Sequence, residues 1–358
     1  MGLPRSPGVW MGCDLGTELG RQGAVLTPMA LVRRSSIAGL ILIVAMCVAL
    51  LVGPVRVSIW RAVASADSQD RLILSGVRIP RAMVAAITGA ALSGAGVVCQ
   101  VLLANPLADP YLLGVSSGAG LGAVLVGLTA SGPTILGLSA MGLGAFAGAL
   151  GALVLVWSVA RQVYCLGQTG LILAGVVVNA FLSAVIMIVV ALARSDQVYA
   201  TLFWLIGNIS EESMGLVWVA GLAVCVCLSG LFLISGRLNL FCFGQQQARL
   251  MGIHAQRIQW MAFGLAGLMT AVAVALAGLV GFVGLVVPHA IRLCLGPDCR
   301  QLLPISAIVG AAFLVLCDTL CRVVVSPAQL PVGVVTALVG GPVFVLMLLR
   351  RARGFRPI

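Results

Sequence analysis

The chain has 358 residues, 61% of them hydrophobic and 9% charged, against about 25% charged in an ordinary soluble domain. So much apolar surface cannot be hidden inside a water-soluble protein of this length, which argues against a soluble enzyme and makes lipid the solvent. The net charge is +11 and all 21 basic residues are arginine; they stand at the ends of apolar runs, without a basic cluster or interleaved aromatics, so the pattern fits the bias of cytoplasmic membrane loops and not nucleic-acid binding.

Residues 1–35 contain Gly, Pro and Arg and lack a long apolar run. No small-residue cleavage site follows a short apolar stretch, so they are not a secretory signal, and they read as a cytoplasmic tail. Met29, followed by Arg33-Arg34 and an apolar run, would make a natural start. A membrane crossing needs about 20 apolar residues. The candidates in chain order are 36–54, 82–103, 112–129, 134–160, 169–193, 214–235, 258–280, 282–295, 304–325 and 331–349. The eighth is too short for a full span and reads as a half-helix or a tightly packed turn. These runs predict an all-α membrane protein with about ten transmembrane helices in one compact bundle, a polytopic domain over 36–350 and a cytoplasmic tail over 351–358.

Ten crossings put both termini on one side. The pair Arg33-Arg34 and the C-terminal Arg350, Arg351, Arg353 and Arg356 then share the cytoplasm, as the positive-inside bias wants. The same count places Arg56, Arg61, Arg71, Arg78 and Arg81 outside, against that bias. Gly89, Gly94 and Gly96, then Gly114, Gly118, Gly120 and Gly122, then Gly142, Gly144, Gly148 and Gly151, are small residues that let helix backbones approach closely in lipid.

The 11 cysteines include no C-x-x-C pair, and most lie inside apolar runs, so no metal site is expected. The two histidines, His254 and His289, give no support for haem ligation, and no cofactor is expected. The phosphate-cradling G-x-x-x-x-G-K-[ST] loop does not occur, so any ATP chemistry belongs to another chain.

Several segments carry more than packing information. Arg78-Ile-Pro-Arg81 places two arginines at i and i+3 around a proline at a helix start, on one face. Asn105-Pro-Leu-Ala-Asp-Pro110, followed by Leu112-Leu-Gly-Val-Ser-Ser-Gly-Ala119, cannot continue a helix through its two prolines. Irregular polar backbone at membrane depth is tolerated where it is buried or lines a cavity, so this run is a candidate path wall. Gly281-Phe-Val-Gly-Leu-Val-Val-Pro-His289 joins a helix breaker to a histidine, with Arg292 just beyond. Asp318 and Arg322 are spaced i, i+4 and can pair on one helix.

Taken in order, these pieces resemble the FecCD-type permeases, the membrane subunits of type II ABC importers for iron-siderophores, haem and cobalamin. The resemblance spans roughly 75–349. Its other carriers are Phe203-Trp-Leu-Ile-Gly207, Gly244–Gly252, Pro304–Arg322, and Leu330-Pro-Val-Gly-Val-Val-Thr336 with Gly340-Gly-Pro342. It implies ten spans per subunit in the cytoplasmic (inner) membrane, and a second permease copy, with a homodimer as the expected form. Two cytoplasmic ATP-binding subunits and a periplasmic or lipid-anchored substrate-binding protein complete the assembly it implies. Arg78, Arg81 and Arg322 match external positions that receive glutamates of the binding protein. Phe243, Gly244, Gln245, Gln246, Ala248, Arg249, Leu250 and Gly252 match the loop that seats the ATPase. Asn105, Leu107, Gln168 and Thr169 match cytoplasmic gate positions. Gln329 stands where the family usually has Glu, and Gln245 and Gln246 stand where it usually has one or two.

The resulting expectation is a non-enzymatic transport subunit passing a siderophore, haem or cobalamin. An ion-coupled secondary transporter is the alternative, but it needs carboxylates at mid-membrane and Asp318 is the only good one. A membrane enzyme would need paired histidines or catalytic carboxylates in the bundle, which the sequence does not supply.

Overall fold

A computed structural model of the chain describes residues 28–55, 57, 69–129, 140–163, 167–193, 203–209, 212–243, 254–325 and 328–354. Its ten principal helices among these residues are α1 (Pro28–Leu51), α2 (Gln69–Leu102), α3 (Val115–Thr129), α4 (Ala140–Gln162), α5 (Gly167–Ala191), α6 (Met214–Leu238), α7 (Ala255–Ala277), α8 (Val283–Leu295), α9 (Cys299–Val323) and α10 (Val332–Gly354). Each falls on one of the ten expected apolar runs. Seven are long and apolar enough to cross a membrane, and the apolar stretches of α3, α8 and α10 are shorter. The 13 residues of α8 rise about 20 Å, short of a full crossing, as its run predicted.

Several helix boundaries differ from the sequence reading: α9 begins at Cys299 and not at 304, and α10 runs to Gly354, into the stretch expected as a tail. α1 begins at Pro28, so Arg33 and Arg34 lie in its first turns and not in a tail. α2 begins 13 residues before the expected 82, at Gln69, and Arg78-Ile-Pro-Arg81 lies within it. Proline inside a helix loses a hydrogen bond, and its ring collides with the carbonyl four residues back. Here a π-helical turn, Leu74–Arg78, precedes it, and the Ile79 N–H donates to the Leu74 carbonyl five residues back. The widened turn takes up the strain and the helix continues.

α2 is the centre of the bundle. It packs against α9, α7, α8 and α6, while α3 and α4 form an antiparallel pair beside α5. In its most apolar window α2 is 78% buried, and α7 and α9 are 72% buried, against 17% for α1 and α5. Leu40 on α1, Phe181 and Met187 on α5, and Trp218 and Leu233 on α6 are exposed. In water these side chains would be costly; against acyl chains they cost nothing.

Because lipid tails are as apolar as leucine, helix association here depends on close contact rather than on expelling water. Small residues supply it. A Cβ on Gly122 would lie 1.9 Å from the Gly144 carbonyl oxygen, and one on Gly148 would lie 2.1 Å from that of Gly118. α3 and α4 therefore touch backbone to backbone. Gly151 has open space around it, so the glycine stripe of α4 is a contact surface on one side only.

The bundle has two ends. The near end carries the start of α1 and of α9, where Arg34 donates to Gln301. The far end carries the end of α1, the start of α2 and the end of α9.

Candidate functional site

Three groups of residues gather what the sequence singled out. The first is at the far end. Arg78 Nη1 donates to the Leu50 carbonyl at 2.6 Å and to the Leu51 carbonyl at 3.3 Å, and Nη2 donates to the Val55 carbonyl. A cation thus caps the carbonyl-rich end of α1, where the helix dipole favours it. Arg81 Nε donates to Asp318 Oδ1 at 3.0 Å, its Nη2 lies 2.9 Å from the same oxygen, and its Nη1 donates to Gln329 Oε1 at 2.7 Å. Arg322 Nε sits 3.2 Å from Asp318 Oδ2, an ion pair whose angle falls short of a hydrogen bond. Its Nη2 donates to the Ala49 carbonyl and to Thr319 Oγ1.

Three helices, α1, α2 and α9, are therefore tied together by one carboxylate and three guanidinium groups. The resemblance places Arg78, Arg81 and Arg322 on the outer side of the membrane, where they would receive a partner's acids. Within this chain the three are 3%, 5% and 5% exposed, and Asp318 is 1% exposed. The i, i+4 pairing of Asp318 with Arg322 was legible; the bond from Arg81, 237 residues away in sequence, was not. Gln329 stands where an acid was expected and still holds Arg81, as a neutral acceptor.

The second group is a pair of helix breaks beside the middle of α2. One follows α2. There Ala104 takes a left-handed backbone with φ 45°, the Asn105 side chain accepts from the Leu107 N–H at 2.9 Å, and Asp109 accepts from the Tyr111 N–H at 2.8 Å at the head of a 3-10 turn, Pro110–Leu113. The prolines stop the helix and the Asn and Asp side chains satisfy the freed N–H groups, as turn chemistry expects. The other break lies between α7 and α8. Gly278 and Phe282 both have φ 68°, and at Phe282 this is a strained conformation for a bulky residue.

The two breaks meet. Tyr111 Oη accepts from the Val280 N–H at 2.9 Å and donates to the Val280 carbonyl at 3.0 Å. One phenol thus satisfies both polar groups of a backbone residue that lies outside any helix. A Cβ on Gly284 would lie 2.6 Å from Pro110 Cδ and 2.9 Å from the Leu92 carbonyl oxygen, which fixes both breaks at the level of Leu92. The Phe203–Gly207 and Leu330–Thr336 motifs approach the same place: Gly333 N–H donates to the Gly207 carbonyl at 3.3 Å, and a Cβ on Gly333 would lie 2.0 Å from the Ile206 carbonyl oxygen. Among the described residues, Ala104 and Phe282 are the non-glycine residues with positive φ, one in each break. Such strain, about 1–3 kcal/mol per residue, collects where a segment is held for function.

Of the expected gate residues, Asn105 and Leu107 lie in the first break, with Leu107 exposed. Gln168 and Thr169 stand in the first turn of α5, with Thr169 exposed. α5 meets the break two turns further on, where a Cβ on Gly175 would lie 2.0 Å from the Leu112 carbonyl oxygen. The sequence reading missed Tyr111 and Val280; a tyrosine directly after two closely spaced prolines and a breaker-rich run elsewhere were the available signals.

The third group is at the near end, where α6 passes into a 3-10 turn, Asn239–Phe243. Phe243 closes that turn. Gly244, Gln245, Gln246, Ala248, Arg249, Leu250 and Gly252 lie outside the described residues.

Comparison with known proteins places this geometry in a family. The model of the FecCD transport family matches residues 41–350. The chain is 41% identical over 299 residues to the uncharacterized ABC transporter permease protein YvrB of Bacillus subtilis, covering 83% of this chain and 84% of that one. It is 37% identical over 278 residues to the hemin transport system permease protein HmuU of Yersinia pestis, covering 77% and 82%. It is 37% identical over 289 residues to the vitamin B12 import system permease protein BtuC of Klebsiella pneumoniae, covering 80% and 86%. A solved inward-facing structure of a metal-chelate type ABC transporter superposes with a TM-score of 0.78 at 28% identity, over 90% of this chain and all of that one. Ten helices, two breaks meeting beside the central helix and this likeness along most of the length have one reading: the chain is a multi-pass membrane permease and belongs to the FecCD transport family.

Proposed function

We propose that this chain is the permease of an ABC importer that, with a second copy of itself, forms the path for a bulky chelate: haem, a ferric siderophore or cobalamin. The observation that carries this reading is the meeting of two irregular segments at mid-bundle, held by Tyr111 and Val280. Non-helical backbone at that depth is tolerated where it is packed in protein or lines a passage. The relatives support the cargo class, since one is named for hemin and another for vitamin B12.

In this reading the near end is cytoplasmic, both termini lie there, and residues 243–252 seat a separate ATP-binding subunit. Asn105, Leu107, Gln168 and Thr169 form the cytoplasmic gate. The far end faces the binding protein. Arg81 and Arg322 share the Asp318 carboxylate and Arg78 is held by backbone carbonyls, so the cluster keeps a positive field that draws a partner's acids toward it, while the side chains themselves stay engaged within the bundle.

The test is to purify the chain from its native membrane and identify what accompanies it, then to measure the affinity of the accompanying binding protein for haem, cobalamin and ferric siderophores. An ATP-binding subunit in equal number to the permease, and tight binding of one chelate, are expected. A chain that purifies alone and moves solute with an ion gradient would favour the secondary-transporter reading instead.

A further inference from the structure

The near end carries a polar pair that neither the path nor the arginine cluster uses. α6 ends at Leu238, and the 3-10 turn Asn239–Phe243 leads directly to 244–252. The Asn239 side chain makes two bonds to the start of α9: its Nδ2 donates to Asp298 Oδ1 at 2.7 Å, and its Oδ1 accepts from the Cys299 N–H at 2.7 Å. Asp298 Oδ1 also accepts from the Arg300 N–H at 2.9 Å and so caps α9. Around this pair, Phe241 is fully buried, and the Arg300 guanidinium lies 3.0 Å from where a Cβ on Gly236 would be. The base of the 244–252 segment is thus fixed to the cap of α9 by a reciprocal amide–carboxylate pair.

α9 runs unbroken through Pro304 for 25 residues, a length of about 37 Å. It contacts α2 closely, since a Cβ on Gly89 would lie 2.2 Å from the Gly310 carbonyl oxygen. Its other end holds Asp318 and Arg322, the centre of the far-end cluster.

We infer that Asn239 is a positioning residue that couples the ATPase seat to α9. When the seat moves, the pair carries the movement to the α9 cap, the helix moves as a rod, and Asp318 passes the shift to Arg81 at the opposite end. This rests on the reading of 243–252 as the ATPase seat. Rigid secondary elements can carry coupling between distant sites, and α9 has a polar anchor at each end.

The experiment uses the whole complex in vesicles and reads substrate taken up per ATP hydrolysed. Asn239→Asp sets two carboxylates face to face, and the ratio falls about tenfold or more, as a like-charge contact requires. Combining it with Asp298→Asn exchanges the two groups: the carboxylate accepts from the Cys299 N–H and from the amide, the amide oxygen caps Arg300, and the ratio returns to near the wild-type value. A merely structural role would lower uptake and hydrolysis together and leave the ratio unchanged. An unchanged ratio in Asn239→Asp, or no recovery in the exchange, overturns the inference; if Asn239→Asp does not assemble, Asn239→Ala is read for the same fall in the ratio. Arg249→Ala separates the two levels: if ATPase recruitment survives it, the seat reading falls, whereas a loss of recruitment with an inert Asn239 overturns the coupling role alone.

Discussion

Asp318→Ala lowers the stability of the folded protein by about 3–5 kcal/mol, the cost of stranding a buried charge by removing its partner. Asp318 is 1% exposed and answers two guanidinium groups: Arg81 reaches it from α2 at 2.9 and 3.0 Å, and Arg322 from within α9 at 3.2 Å. Without the carboxylate, Arg81 keeps the neutral Gln329 oxygen and Arg322 keeps Thr319 and the Ala49 carbonyl. Two buried cations would then face each other without the carboxylate that joins them. Repulsion would separate the far ends of α1, α2 and α9, the three helices that the cluster joins. Thermal unfolding of the purified protein in detergent reads the effect. Asp318→Asn, which keeps an acceptor oxygen but removes the charge, falls between wild type and alanine. Melting temperatures unchanged in both variants would mean that the ion pairs do not hold the far end together.

Gly96→Leu disrupts the bundle at its centre. A Cβ at this position would lie 1.8 Å from the Gly284 carbonyl oxygen and 2.6 Å from its carbon. The obstacle is backbone, not the end of a flexible side chain, so α2 and α8 must move apart. Overpacking costs about 1–3 kcal/mol in a well-packed core and more where backbone must shift. The separation also strains the Gln100–Leu285 hydrogen bond one turn along and the contact of Gly284 with Pro110. It therefore opens the place where the two breaks meet. Gly151→Leu is the control, because nothing lies within 4 Å of a Cβ there. Expression and elution as a single species in detergent should fail for Gly96→Leu and hold for Gly151→Leu.

Much of the architecture was legible because lipid imposes one rule: spans are apolar and about a bilayer long. The ten runs, the half-length of α8 and the i, i+4 pairing of Asp318 with Arg322 are local properties, and local patterns carry them. The misreadings were non-local. A sequence pattern could place Arg78 and Arg81 on one face, but not show that α1 and α9 would cover that face. Proline at 80 suggested a helix start, because the upstream π turn that accommodates it has no sequence signature of its own. The Tyr111–Val280 clasp joins residues 169 apart, and the Asn239–Asp298 pair joins residues 59 apart. Neither spacing has a period. The resemblance to the family could supply the order of the motifs along the chain, but the packing decided which of their side chains meet.

The chain is proposed to form the passive path of an ATP-driven importer of a metal chelate or cobalamin. The most direct measurement is uptake into vesicles containing the purified permease, with its ATP-binding subunit inside and its binding protein, loaded in turn with haem, cobalamin and a ferric siderophore, outside. The expected result is accumulation of one of these cargoes that requires ATP, the ATP-binding subunit and the binding protein together. Accumulation that proceeds without the ATP-binding subunit and follows an ion gradient would contradict it.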